Sequence, residues 1–182
     1  MSRLLLMRHA KSDRGDDALA DVDRPLCDRG REAAPRVGRH MAMLGLAPQR
    51  ILCSSARRAR ETLALILPAL DGDAEIRLTR DLYEAGEDET IDQIRGHGGL
   101  AGTLMVIGHE PGLRLAALAL IGGGHPSLLE DIEAKFPTGA LAVIDFPAIR
   151  WVDVEPKSGR LVAFLRPRTL HLVEEIAAAE ID

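Results

Sequence analysis

Leu4-Leu5-Leu6-Met7-Arg8-His9 is the stretch that decides how this chain is read. A short apolar run of this kind reads as a buried strand. It ends by delivering a guanidinium and an imidazole side by side. A second run, Thr103-Leu104-Met105-Val106-Ile107, ends in the same manner, in Gly108-His109-Glu110-Pro111-Gly112. In an open α/β sheet, ligands sit at the carboxyl ends of strands, so the two histidines are expected to converge on one ligand. A phosphate suits them best, because arginine stands beside His9 and recurs at Arg57, Arg58 and Arg60.

Working outward, strands are expected at 3–8, 50–54, 75–80, 103–108, 140–146, 150–154 and 161–165, with helices between most of them. Segment 28–45 keeps Ala33, Val37, Met41 and Leu44 on one face, with Pro35 inside it as a kink or a late start. Segment 56–70 carries the stripe Ala59, Leu63, Ile66, Leu67 and Leu70, with Ser55 as its expected cap. Thr90 and Gln93 form a capping pair for a short helix at 91–96. Pro111 opens a helix over 111–121. Toward the end, 150–154 and 160–164 flank Pro156-Lys157-Ser158-Gly159 and read as a hairpin. The stretch from Leu170 to Ile181 is expected to form a terminal helix or to fray, and Ser12 to Asp23 to form an acidic loop near His9. This alternation predicts an α/β fold: a three-layer α/β/α sandwich whose central sheet is mostly parallel, with antiparallel edge strands.

Bulk properties narrow the function. The chain has 182 residues, 46% apolar and 28% charged, which fits one soluble globular domain. Aromatics make up only 3% and the net charge is −5, which argues against nucleic acid as a partner. Any phosphate site must be a local arginine pocket in an acidic protein. No run reaches the length of a membrane span. Cys27 and Cys53 have no CxxC partners, which points to a reducing, cytoplasmic setting.

A lone histidine after a strand is more often structural than catalytic. His9 departs from that rule because Arg8 precedes it, Lys11 and Ser12 follow at once, and His109 occupies an equivalent place. An imidazole nitrogen is a competent nucleophile toward phosphorus once its other nitrogen is held by an acceptor. Arg58 falls in the first turn of a helix, where a cation is unfavourable unless an anion binds there too. Thr62 lies one turn on, on the same face. Arg57 and Arg60 are expected to be solvated. His109, before the helix opened by Pro111, is expected to bind a phosphoryl oxygen. A metal is not expected, since no HxH or HExxH spacing occurs and Arg8 would repel a cation.

The ordered segments resemble the histidine phosphatase superfamily, of phosphoglycerate mutase-like fold. They are Leu6 to Ser12, Arg24 to Gly30 (with Cys27 where a threonine usually stands), Ser54 through Arg58 to Thr62, and Val106 to Pro111. Lys135-Phe136-Pro137-Thr138-Gly139-Ala140 resembles the SixA-like phosphohistidine phosphatase subgroup. The resemblance spans about residues 3 to 170 and implies a single domain over 1–182. His9 would be the nucleophile that becomes phosphohistidine. Arg8, Arg58, His109 and Ser12 would bind the phosphoryl group, and no metal or organic cofactor would be needed. Many members use a glutamate to protonate the leaving oxygen. Glu84 is the candidate for that acid here, a solvated loop carboxylate being the alternative.

Few inserts separate the segments, so a shallow site without a large lid is expected, open to a side chain of a phosphorylated protein. The reading is a metal-independent phosphatase acting through a phosphohistidine intermediate, most simply on phosphohistidine of a signalling protein. The alternatives are a small-molecule phosphomonoesterase with the same pocket and a non-catalytic phosphoprotein-binding module. A mutase and a metallohydrolase fit less well.

Overall fold

The computed structural model describes residues 1–13 and 18–170. Among the described residues seven strands form one sheet: β1 (Ser2–Arg8), β2 (Arg50–Ser54), β3 (Glu75–Thr79), β4 (Thr103–Gly108), β5 (Ile121–Gly124), β6 (Leu141–Phe146) and β7 (Gly159–Leu165). Their order is β3-β2-β4-β1-β6-β7-β5. Among the described residues these α-helices accompany them: α1 (Asp28–Met43), α2 (Arg57–Ile66), α3 (Glu87–His97), α4 (Gly112–Leu120) and α5 (Pro126–Ala134).

The apolar runs become central strands because both faces of the sheet are covered. Along β1, Leu4 and Leu6 pack with Ile91 and Ile94 of α3 and with Leu113 and Ala117 of α4. Leu5 and Met7 point the other way, toward Val37 and Met41 of α1 and Leu63 and Ile66 of α2. Strand β4 divides identically, Leu104 and Val106 to one side and Met105 and Ile107 to the other. The period-two alternation of a strand thus builds two cores from one continuous apolar run. The result is the expected three-layer sandwich.

Several local expectations are corrected. The antiparallel pairing expected at the sheet edges lies inside instead: β6 runs antiparallel to both β1 and β7, whereas β3 and β5, at the two edges, each pair in parallel. The expected hairpin does not form. Trp151–Asp153 is a 3-10 turn, because the Trp151 indole donates to Ala101 O at 2.6 Å and packs edge-on against Phe146. Its would-be partner β7 pairs with β6 and β5. Strand β5 and helix α5 were not foreseen. Helix α3 starts a turn before the expected 91–96: the Glu89 carboxylate accepts Gly86 N, and Thr90 is buried within the helix, its hydroxyl donating to Gly86 O. Ser55 does not cap α2; Ala56 occupies that position, and Ser54 Oγ accepts its N–H. Pro111 is the residue before α4 rather than its first, and α1 continues through Pro35. The expected terminal helix beyond Leu170, and residues 14–17 of the Ser12–Asp23 loop, lie outside the described residues.

Candidate active site

Register brings the two histidines together. β1 and β4 run parallel with Arg8 paired to Gly108, so the next residues, His9 and His109, leave the carboxyl edge side by side. The His9 N–H donates to Gly108 O at 3.1 Å, and the ring centroids lie 5.0 Å apart. Strand β2 lies on the other side of β4 and ends at Ser54, whose Oγ meets His109 Nε2 at 2.8 Å. Two residues beyond the Ala56 cap comes Arg58, in the first turn of α2. Its Nη2 lies 3.4 Å from His109 Nδ1. Arg8, His9, Arg58 and His109 line one cavity of about 220 Å³ together with Lys11, Ser12, Asp21, Arg24, Glu110 and Thr138.

Hydrogen bonds fix the protonation of both rings. His9 Nδ1 is 2.7 Å from Ala10 O. A carbonyl only accepts, so Nδ1 carries the proton and the lone pair is on Nε2. His109 Nδ1 faces a guanidinium that only donates, so Nδ1 accepts and Nε2–H donates to Ser54. Burial drives His9 down to about 3, aided by the charges of His109, Arg58 and Arg8 and opposed by the bond to Ala10. Burial and the Arg58 charge take His109 to about 4, opposed by Asp21. Both rings are neutral at neutral pH. Burial also pushes the Cys53 thiol up to about 12, which rules it out as a nucleophile there.

The supporting contacts hold this geometry in place. Arg8 Nη1 donates to Phe136 O at 2.8 Å. Gly139, at φ +77°, donates its N–H to both Arg8 O and His9 O. The Lys135–Ala140 segment therefore braces the strand end that carries the nucleophile candidate. Thr62, predicted to share a face with Arg58, donates its hydroxyl to Arg58 O at 2.6 Å and accepts from Ala10 N at 3.0 Å, tying α2 to the residue after His9. Arg57 pairs with Glu61 on the surface, and Arg60 is exposed.

Arg58 does have the anion that its helical position requires, and the chain itself supplies it. Arg58 Nη1 donates to Asp21 O at 2.5 Å and Nη2 to Asp21 Oδ2 at 2.9 Å. Tyr83 Oη donates to the same oxygen at 2.9 Å, and Arg24 Nη1 to Oδ1 at 2.6 Å. Desolvation works to raise the Asp21 pKa, but the bonds from Tyr83, Arg58 and Arg24 outweigh it and hold it at about 2.

Of the residues expected from sequence, the structure brings Arg8, His9, Ser12, Arg58 and His109 together. Glu84 is not with them: it sits exposed at φ +57° and is not among the residues lining the cavity. Asp21 and Tyr83 were not singled out from sequence, and Arg24, Ser54 and Glu110 stood in the family-like segments without a role of their own. A signal existed for some of them: Ser54 ends a strand, and Asp21 and Arg24 have the i,i+3 spacing of an ion pair. Among the described residues no group of three or more His, Cys, Asp or Glu side chains is arranged to hold a metal, and no helix is long and apolar enough to cross a membrane.

A neutral histidine beside a second histidine and two arginines, at the carboxyl edge of this sheet, defines a class, and the comparisons agree. Residues 4–97 match the model of the histidine phosphatase superfamily (branch 1), and the chain belongs to that superfamily. An uncharacterized protein of Mycobacterium tuberculosis is 41% identical over 164 residues, covering 89% of this chain and all of the relative. The structure of a candidate phosphohistidine phosphatase SixA from Agrobacterium tumefaciens superposes with a TM-score of 0.77 at 29% identity, over 91% of this chain and 98% of that one. The alpha-ribazole phosphatase of Shigella flexneri shares the fold at 18% identity, with a TM-score of 0.62 over 91% and 96%. The protein is a phosphatase of SixA-like build.

Proposed function

We propose that the protein removes phosphate from phosphohistidine on a signalling protein, through a phosphohistidine intermediate on His9. One observation carries this reading: His9 is held as a neutral ring with its proton on Nδ1 and its lone pair on Nε2, inside a cavity flanked by two guanidinium groups. Nε2 attacks phosphorus, and the bond from phosphorus to the substrate nitrogen breaks with its electron pair leaving on that nitrogen. Water then attacks the phosphorus on His9, giving inorganic phosphate and restoring Nε2. Arg8 and Arg58 hold the phosphoryl oxygens by charge-assisted bonds. Ser12, whose Oγ accepts from Arg24 Nη2, retains its own hydroxyl hydrogen for another oxygen. A bound dianion favours protonated His109, whose Nδ1–H then donates to the phosphoryl group. Phosphoryl transfer asks mainly for such positioning and charge stabilisation.

The cavity, at about 220 Å³, is below the usual range for small-molecule sites, roughly 300–1,000 Å³. It suits a phosphoryl group presented on a side chain. The free thiols of Cys27 and Cys53 accord with a reducing, cytoplasmic setting. The fold shared with an alpha-ribazole phosphatase favours one second reading, a phosphomonoesterase acting on a small molecule.

Rapid quench with labelled phosphohistidine protein tests the mechanism. An acid-labile, base-stable label should appear on His9 and vanish in His9→Ala. Tight binding without any adduct would instead make the site a phosphoprotein-binding module. Fast turnover of a small phosphate ester, with none of phosphohistidine protein, would establish the second reading.

A further inference from the structure

The carboxylate of Asp21 is an anion built into a site that binds anions, and the substrate must meet it. Its side chain is 46% exposed, while the Arg58 side chain beneath it is 9% exposed. It therefore lies at the rim, between the arginine and solvent. Three donors reach it: Arg24 Nη1 on Oδ1, and Arg58 Nη2 and Tyr83 Oη together on Oδ2. A carboxylate has about four acceptor positions, so among the described residues one remains, on Oδ1.

The position of Asp21 relative to the two histidines gives that remaining acceptor a role. His9 is buried in the cavity, 6% exposed, whereas Asp21 stands at its rim and takes its bonds from Arg58 and Tyr83. Tyr83, which holds Asp21, stands edge-on to the His109 ring at 5.7 Å. Asp21 thus stands on the solvent side of the cavity, over Arg58, while the nucleophile candidate is buried. In-line displacement puts the leaving group opposite the nucleophile, so with His9 buried the leaving group points toward solvent, the side on which Asp21 stands.

Resting on the reading that His9 takes up the phosphoryl group, we propose that Asp21 is the residue that selects and activates the leaving group. It accepts the second ring N–H of a phosphorylated imidazole and repels leaving groups that carry an anion beside the phosphate. A carboxylate on that N–H favours the protonated ring. The bond from phosphorus to nitrogen then breaks to release a neutral imidazole: the electron pair stays on the departing nitrogen, and the other nitrogen keeps its proton. No acid is required at the departing atom, in keeping with a cavity that Glu84 does not line. Among the described residues, the charged or titratable groups facing Asp21 are Arg58 from α2, Arg24 from the segment before α1, Tyr83 from the turn after β3 and His109 at the end of β4. The carboxylate of Glu110 also lines the cavity.

Asp21→Asn, nearly isosteric, tests this on three substrates: a phosphohistidine peptide, phenyl phosphate and 3-phosphoglycerate. Relative to phenyl phosphate, the peptide should lose roughly tenfold or more in kcat, the scale of a lost charged hydrogen bond. The preference for 3-phosphoglycerate should rise. In wild-type protein, kcat on the peptide should fall at high pH, as the bound ring deprotonates, with no such limb on phenyl phosphate. In the variant that limb should move down by about one pH unit. An equal loss on all three substrates would mean that Asp21 only steadies Arg58 and would overturn the proposal, as would no change. The wild-type profiles alone decide if the variant does not fold: the same limb on both substrates overturns it. Wild-type protein that cleaves phenyl phosphate but not the peptide would defeat the phosphohistidine reading. The 3-phosphoglycerate preference would then judge Asp21 separately, a rise supporting its place beside the leaving group and no rise refuting it.

Discussion

Two buried neutral histidines should leave a signature in the pH dependence of stability. In the unfolded chain each has its ordinary value of 6.5; folded, His9 sits at about 3 and His109 at about 4. Between the folded and unfolded values the unfolded chain binds more protons, so stability rises with pH. The contribution is complete above about pH 6.5 and is lost as pH falls toward 4. Integrated from pH 7 down to pH 5, each histidine costs about 2 kcal/mol and the pair about 4 kcal/mol. That is a large share of a typical folding free energy of roughly 5–15 kcal/mol. Asp21 adds little in this window, since, held at about 2, it loses its contribution only in stronger acid. Urea unfolding followed by circular dichroism at pH 7 and pH 5 measures the effect. Wild type should lose about 4 kcal/mol more than the double variant His9→Asn, His109→Asn, whose side chains do not titrate. Equal losses in the two proteins would refute the neutral-imidazole assignment, and the nucleophile argument with it.

Other expectations are simpler. Arg58→Ala should lower kcat/KM on the order of a hundredfold or more, the usual scale for one lost oxyanion donor; near-normal steady-state rates would show that Arg58 does not hold the phosphoryl group. Glu84→Gln should leave rates on phosphohistidine and on phosphate esters within about twofold, as for other exposed substitutions. A large loss confined to esters would show that Glu84 does reach the leaving oxygen. Gly30→Ala would put a Cβ 2.1 Å from Lys11 O, a backbone atom two residues from His9. It should cost about 1–3 kcal/mol in urea unfolding, and a variant as stable as wild type would mean that this close approach is not needed.

Some of the molecule was legible from residue order alone. Runs of Leu, Val, Ile and Met between polar turns mark central strands, because a strand buried on both faces needs apolar side chains at consecutive positions. Arg8-His9 and Gly108-His109 stand where β1 and β4 end, and the strand-end rule for open sheets placed them at a ligand site. The start of a helix marked Arg58, the histidine phosphatase resemblance supplied Ser12, and both line the cavity. The misreadings fall where local pattern is weak. Gly122-Gly123-Gly124 in β5 offers no side-chain alternation. Trp151 looks strand-like until its indole finds Ala101 O, a partner 50 residues away.

Residue order settled which groups stand at the strand ends, since apolar periodicity is a local property and the end of a run fixes the residues that come next. Only the tertiary structure decided how those groups are charged and held. The proton on His9 is placed by one carbonyl, the ring of His109 by Ser54 and Arg58, and the fork of Arg58 by an aspartate 37 residues upstream. Burial and hydrogen-bond partners depend on where loops pass in space, and no periodicity in the chain encodes that path.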